Sequence, residues 1–288
     1  MPAPAANLLP YTLSLPTRQS AALVFGSPHS GADYPRVFTE ASVLDEIALR
    51  SSEDAYVDRL LAGVAEHGAP LLAARYPRAY VDLNRAETEL DPAVIHGLGR
   101  GVRSARVAAG LGVIPRVVSG GRAIYRGKMP LAEAEARIAA IWRPYHARLD
   151  RLLAETRAQF GRAVLIDVHS MPSEALSGLG AARPEIVLGD RHGKAASPAV
   201  TAAVAEAFRQ EGFRVALNAP FAGAFISERY GLPEANRHVV QVEIDRSLYM
   251  EEASLRPRAD FAQFVHRIDR VAARLCRAAT PGQQLAAE

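Results

Sequence analysis

Two histidines stand at the ends of apolar runs. His29 follows "AALVF" in "SPHSGADYP", and His169 closes "RAVLIDVHSMP". Pro28 cannot donate to a sheet ladder, and Gly31 admits backbone turns closed to other residues. His29 is therefore expected where a buried strand opens onto a loop. Carboxylates stand in comparable places, Asp167 two residues before His169 and Glu243 with Asp245 and Arg246 in "VEIDRS", while Glu53 and Asp54 in "SSED" open a helix. Two imidazoles and one carboxylate make a catalytic zinc site that keeps a fourth position for water. Such an ion lowers its water's pKa from about 15.7 towards about 7, so hydroxide forms roughly 12 kcal/mol more easily. His29 and His169 are the candidate ligands, with Asp54 or Glu53 as the carboxylate. A further carboxylate must take and hand on the proton, and Glu243 is the best placed. Arg85, in "DLNR" after an apolar run, offers a planar fork to a substrate carboxylate. Spacing alone leaves alternatives open. There is no H-E-x-x-H, and a strand-end histidine also serves as a structural hydrogen-bonding residue. Asp167 either caps a loop or orients His169. His67, His96, His192, His238 and His266 have no comparable setting, and His146 in "WRPYH" is less clear-cut.

Other chemistries find little footing. There is no G-x-S-x-G elbow, no G-x-x-x-x-G-K-[ST] phosphate loop, and no G-x-G-x-x-G after a strand. The one cysteine, Cys276, lies in an apolar helical pattern and reads as a buried small residue. The net charge is only +3, and no basic run is interleaved with aromatics, so nucleic acid is not an expected partner. No apolar stretch approaches the roughly 18 residues needed to cross a bilayer. The N-terminus lacks a basic region followed by an apolar one. A cytoplasmic protein acting on a small molecule is the expectation, and its oligomeric state is not legible.

These groups must be held by elements. Residues 1–20 contain four prolines and read as an irregular arm. Strands are expected at "AALVF", "PLLAA", "AYVDL", "RAVLIDVHSMP", "ARPEIVLGD", "FRVALN" and "HVVQVEID". The run at 162–172 reads as a buried central strand. Helical spacing covers 39–68 with a break near Ser51-Ser52, then 131–161, 197–212 and 260–279. Pro144 predicts a kink or a junction between two helices. Residues 86–130, rich in Gly and Pro, read as a functional lid or a partly structured connection. Residues 280–288 read as a frayed tail. Strand-helix alternation without a linker argues one α/β domain over 1–288, with a mixed, largely parallel sheet flanked by helices.

Seven stretches, in order along nearly the whole chain, resemble the N-formylglutamate amidohydrolase family. They are "SPHSGADYP", "SEDAYVDRL", "YPRAYVDLNR", "IWRPYHARL", "LIDVHSMP", "LNAPFAGAFISERYG" and "VQVEIDRSLYMEE". The resemblance implies a zinc carboxypeptidase-like (phosphorylase/hydrolase-like) fold with an eight-stranded mixed sheet. It also implies one zinc ion and hydrolysis of an amide on an acidic amino acid. Carried over, His29, Asp54 and His169 hold the zinc, with Glu53 the lesser choice. Glu243 is the general base, and Asn84 with Arg85 binds a substrate carboxylate. Arg143 or Arg246 is assigned the second carboxylate from charge alone, and Gly223 a close approach in the pocket wall. The implied reaction is N-formyl-L-glutamate plus water giving formate and L-glutamate, as in histidine breakdown. Alternatives are a deacylase of other N-acyl amino acids, like succinylglutamate desuccinylase or aspartoacylase, and a zinc-binding protein without catalysis.

Overall fold

Continuous apolar runs form the centre of the molecule, a seven-stranded sheet. The structure is a computed structural model that describes residues 9–98 and 104–280. The strands are β1 (Tyr11–Ser14), β2 (Leu23–Ser27), β3 (Leu71–Ala74), β4 (Ala163–Met171), β5 (Ile186–Gly189), β6 (Val215–Leu217) and β7 (Arg237–Asp245). Their spatial order is β1-β3-β2-β4-β7-β5-β6. Strands β3, β2, β4 and β7 are mutually parallel, while β1 and β5 run antiparallel to their inner neighbours. The mixed, largely parallel sheet is as expected, but among the described residues the strand count is seven where the resemblance implied eight. Among the described residues, Ile95–His96 and Met129–Pro130 pair with each other and do not join the sheet.

Both faces of the sheet are covered, which is why its strands read as unbroken apolar runs. Phe25, Ile166, Val168 and Val242 pack against the helices Val57–Leu60, Pro198–Arg209 and Phe261–Ala278. Residues of the opposite parity, Val24, Leu165 and Val239, pack against Ile138, Trp142, Leu149 and Leu152. Those side chains come from a long helical stretch, with helices at Leu131–Arg137 and Arg143–Phe160. The turn between them, Ile138–Trp142, widens to π-helical geometry. That is the junction Pro144 called for, because a π-bulge accommodates its missing N–H.

Three expectations need correction. The described part of the N-terminal arm is not wholly irregular, because Tyr11–Ser14 pairs antiparallel with Leu71–Ala74. Prolines 10 and 16 only bracket that edge strand, where they break no ladder. The "AYVDL" stretch is a loop. Its backbone bonds locally, with the Tyr80 and Val81 amides donating to the Pro77 carbonyl, and the Asp82 amide reaches across to Val113. Helix in 39–68 is shorter than its periodicity suggested, with Glu46–Arg50 and Val57–Leu60 separated by an irregular turn. Residues 281–288 lie outside the described residues. No helix among those described is long and apolar enough to cross a membrane.

Candidate active site

All four parallel strands end on one edge of the sheet, the place where α/β folds bind their ligands. Strand β2 leads into His29, and β4 carries Asp167, His169 and Ser170. The loop after β3 supplies Arg78, Asp82, Asn84 and Arg85. Strand β7 carries Gln241 and Glu243. The Cα positions of His169 and Glu243 are paired in register, as are those of Asp167 and Gln241. Alternate residues share a face, so the four side chains form a small square beside His29. Gly31 matters through packing, since a Cβ there would lie 2.3 Å from the Tyr76 carbonyl oxygen.

His29, Asp54 and His169 converge. Their donor atoms lie within 4.8 Å of one another, and all three residues are buried. His169 Nδ1 is 3.1 Å from His29 Nδ1 and 3.1 Å from Asp54 Oδ2. Each imidazole is backed by a carboxylate: His29 Nε2 lies 2.7 Å from Asp82 Oδ1, and His169 Nε2 3.1 Å from Asp167 Oδ2. A backing carboxylate places the proton on Nε2 and leaves the Nδ1 lone pair facing inward. Two imidazole lone pairs and a carboxylate oxygen then face one point. Without a proton between them they repel, and a divalent cation satisfies all three, so the residues fit a metal.

Asp54 is prepared for that role. Arg246 Nη2 and the Ser170 hydroxyl donate to its Oδ1 at 2.9 and 3.1 Å, turning Oδ2 to the histidines. Its amide donates to the His29 carbonyl at 3.0 Å, which ties the two segments together. Burial works against its charge, but the facing His169 and His29 rings hold the carboxyl well below its ordinary range. Glu53 points elsewhere, to Arg50 and the Tyr34 hydroxyl. Asp54 lies in the turn ahead of the helix Val57–Leu60 and does not open it.

His29 and His169 border a cavity of about 320 Å³ lined in part by Arg78, Asn84, Arg85, Arg106, Gly223 and Glu243. A second, more apolar cavity of about 360 Å³ meets it at Arg78, Leu111, Phe221 and Glu243. Its wall comes largely from 109–121, part of the stretch read as a lid or partly structured connection. Burial pushes the Glu243 carboxyl up to about 7, with Asp54 adding to it and His169 opposing. Gln241 Nε2 donates to Glu243 Oε1 at 2.8 Å. Gly223 has φ +108°, and a Cβ there would sit 2.9 Å from Ser227 Oγ, so both conformation and space ask for glycine.

Of the arginines assigned from sequence, Arg85 lines the cavity, whereas Arg143 is 60 % exposed and pairs with Glu87 outside both cavities. Arg246 lines the second cavity with its donors committed to Ser170, Asp54 and the Ser51 carbonyl. It braces Asp54 and has no edge to offer a substrate. Sequence reasoning missed Asp82, Arg78, Gln241 and Arg106. The alternation in "QVEID" placed Gln241 and Glu243 on one face, the only signal for any of the four.

The "WRPYH" stretch also has a task. Trp142 Nε1 donates to the Arg85 carbonyl at 2.9 Å, and His146 Nε2 lies 2.9 Å from the Leu83 carbonyl. The Tyr230 hydroxyl meets His146 Nδ1 at 2.9 Å. Asn84 and Arg85 are thus clamped from behind. Burial pushes His146 down to about 3, so it is neutral in the folded protein. The unfolded chain takes up this proton below about pH 6.5. Stability from this site is full above pH 6.5 and is lost as pH falls towards 3, by up to about 1.4 kcal/mol per pH unit. Chemical denaturation between pH 7 and 4 is expected to show a smaller loss in His146→Gln than in the wild type.

The sequence matches the N-formylglutamate amidohydrolase family over residues 21–250. It is 33% identical to N-formylglutamate deformylase of Pseudomonas aeruginosa over 253 residues, 86% of this chain and 90% of that protein. It is 29% identical to N-formylglutamate deformylase of Pseudomonas putida over 245 residues, 84% of this chain and 86% of that one. The crystal structure of N-formylglutamate amidohydrolase from Ralstonia eutropha JMP134 superposes with a TM-score of 0.88 at 34% identity, covering 94% of this chain and 99% of that one. With a match spanning most of its length and a shared fold, this chain belongs to the N-formylglutamate amidohydrolase family.

Proposed function

We propose that the protein hydrolyses N-formyl-L-glutamate to formate and L-glutamate, a step of histidine breakdown, with one zinc ion held by His29, Asp54 and His169. The observation that carries this reading is the convergence of three metal-donor atoms beside Glu243 in a cavity walled by arginines. When bound, the ion supplies Lewis acidity and acidifies a water. Asp82 and Asp167 hold the imidazole tautomers, while Arg246 and Ser170 hold Asp54. Glu243 takes a proton from the attacking water and delivers it to the leaving nitrogen, at an oxygen opposite the one fixed by Gln241. Asn84 and Arg85 hold the substrate carboxylate. Asn84 Oδ1 accepts from the Ile226 amide at 2.8 Å, which turns its amide N–H₂ towards His169. Gly223 lets the pocket wall come close.

The test is formate release from N-formyl-L-glutamate by protein of measured metal content. Turnover that follows zinc content is expected. Bound zinc without formate release would set the formyl substrate aside. The second cavity favours one other reading, removal of longer apolar acyl groups from the same amino acid. Its two arginines, Arg78 and Arg246, are already paired with Asp82 and Asp54, which argues against a succinyl group. Comparing N-formyl-, N-acetyl-, N-butyryl- and N-succinyl-glutamate separates these cases.

A second expected result concerns the clamp behind Arg85. Trp142→Phe removes one hydrogen bond to the Arg85 carbonyl, and KM is expected to rise severalfold with kcat nearly unchanged. Steady-state kinetics check this split, and a fall in kcat alone would count against it.

A further inference from the structure

An amino acid with an acidic side chain carries two carboxylates, and Arg85 accounts for one. Arg143 and Arg246 are both removed as partners for the other by their positions and contacts. Arg78 spends its Nη2 on Asp82 at 2.8 Å. The remaining guanidinium on the cavity wall is Arg106, in the short helix Ala105–Ala108. It is half-buried and has no ion-pair partner among the described residues. The neighbouring residues 99–103, Gly-Arg-Gly-Val-Arg, contain no carboxylate.

Arg106 is also held at a set spacing from Arg85. The Leu111 amide donates to the Arg106 carbonyl at 2.8 Å, and Arg85 Nε donates to the Leu111 carbonyl at 2.8 Å. Arg85 Nη1 donates to the Asn84 carbonyl at 2.7 Å, which fixes the plane of the guanidinium. One backbone residue thus joins the two segments that present cations to one cavity. Burial disfavours the Arg85 charge, and Arg78 and Arg106 add like-charge repulsion to it. A dianionic ligand relieves that repulsion.

We infer that Arg106 is the specificity-determining cation for the side-chain carboxylate of a dicarboxylic amino acid, with Asn84 and Arg85 taking the carboxylate next to the scissile amide. The inference rests on the proposed reading of the cavity as an N-acyl amino acid site. It does not depend on which acyl group is removed.

The test therefore uses the free amino acids as ligands of the zinc-loaded protein, in titration calorimetry, beside kcat/KM for N-formyl-glutamate and N-formyl-glutamine. L-Glutamate and L-glutamine differ by little more than the charge that Arg106 reads. The wild type is expected to prefer glutamate by roughly 10- to 100-fold, the range for a hydrogen bond to a charged group. In Arg106→Gln this preference should collapse, with glutamine affinity changing far less than glutamate affinity. Arg85→Gln should weaken both. If Arg106→Gln does not fold, Arg106→Lys decides instead and should keep only part of the preference. A wild type with no preference for glutamate overturns the inference, as does an Arg106 variant that keeps it in full or loses both ligands alike. Absence of formate release with the preference intact would instead overturn the formyl reading alone.

Discussion

Glutamine in place of Glu243 is expected to lower kcat by roughly 10²- to 10⁴-fold, the usual contribution of a positioned general base. Metal content and KM should change little. Glu243 is outside the convergent triad, so the metal donors stay intact. The substitution keeps the shape of the side chain and removes only its ability to accept a proton. Gln241 holds Oε1, and the carboxylate borders both cavities. The pH profile carries a second check. Glu243 works as a base only when ionised, so activity rises with pH through its pKa. Burial pushes that value up to about 7, while the charge of a bound metal pulls it down, which puts the acid limb of kcat/KM at or below pH 7. The limb should be absent in Glu243→Gln. A variant with wild-type kcat and an unchanged limb would move the proton transfer to another group.

Removal of the metal is expected to have a still larger effect. Chelation should abolish formate release, and added zinc should restore it. His169→Gln and Asp54→Asn each withdraw a donor atom from the triad, and neither should recover at zinc concentrations that restore the wild type. The carboxylates behind the histidines give a graded version of the same experiment. Asp82→Asn leaves every ligand in place but weakens the hold on the His29 tautomer. A loss of about 10- to 100-fold in metal affinity is expected, read by competition with a chromogenic chelator. Equal affinity in Asp82→Asn and wild type would show that this contact does not orient His29.

The parts of the site legible in the sequence lie on or beside long apolar strands. His29 and His169 follow runs whose burial is evident from composition, and Glu243 lies in the same kind of run. Asp167 and His169 share a face because they are two positions apart on one strand. Asp82 was hidden for a different reason: its partner His29 is 53 residues away, and only the sheet brings them together. Arg106 was hidden because it belongs to a stretch with no period of either kind. Arg143 and Arg246 were assigned by charge alone, and charge does not say whether a guanidinium is free or already paired. The edge strand Tyr11–Ser14 was masked by its flanking prolines, which at a sheet edge disturb nothing.

The register of β4 against β7 has a consequence for redesign. The spacing between the proposed metal ligand His169 and the proposed base Glu243 is set by the hydrogen-bond ladder of two long central strands. About half of the residues around the two cavities come instead from the loops at 106–121 and 220–224. Reactivity and selectivity are thus written in separable parts of the chain. Libraries confined to those loops should shift the preferred acyl group or amino acid while the reacting centre keeps its geometry.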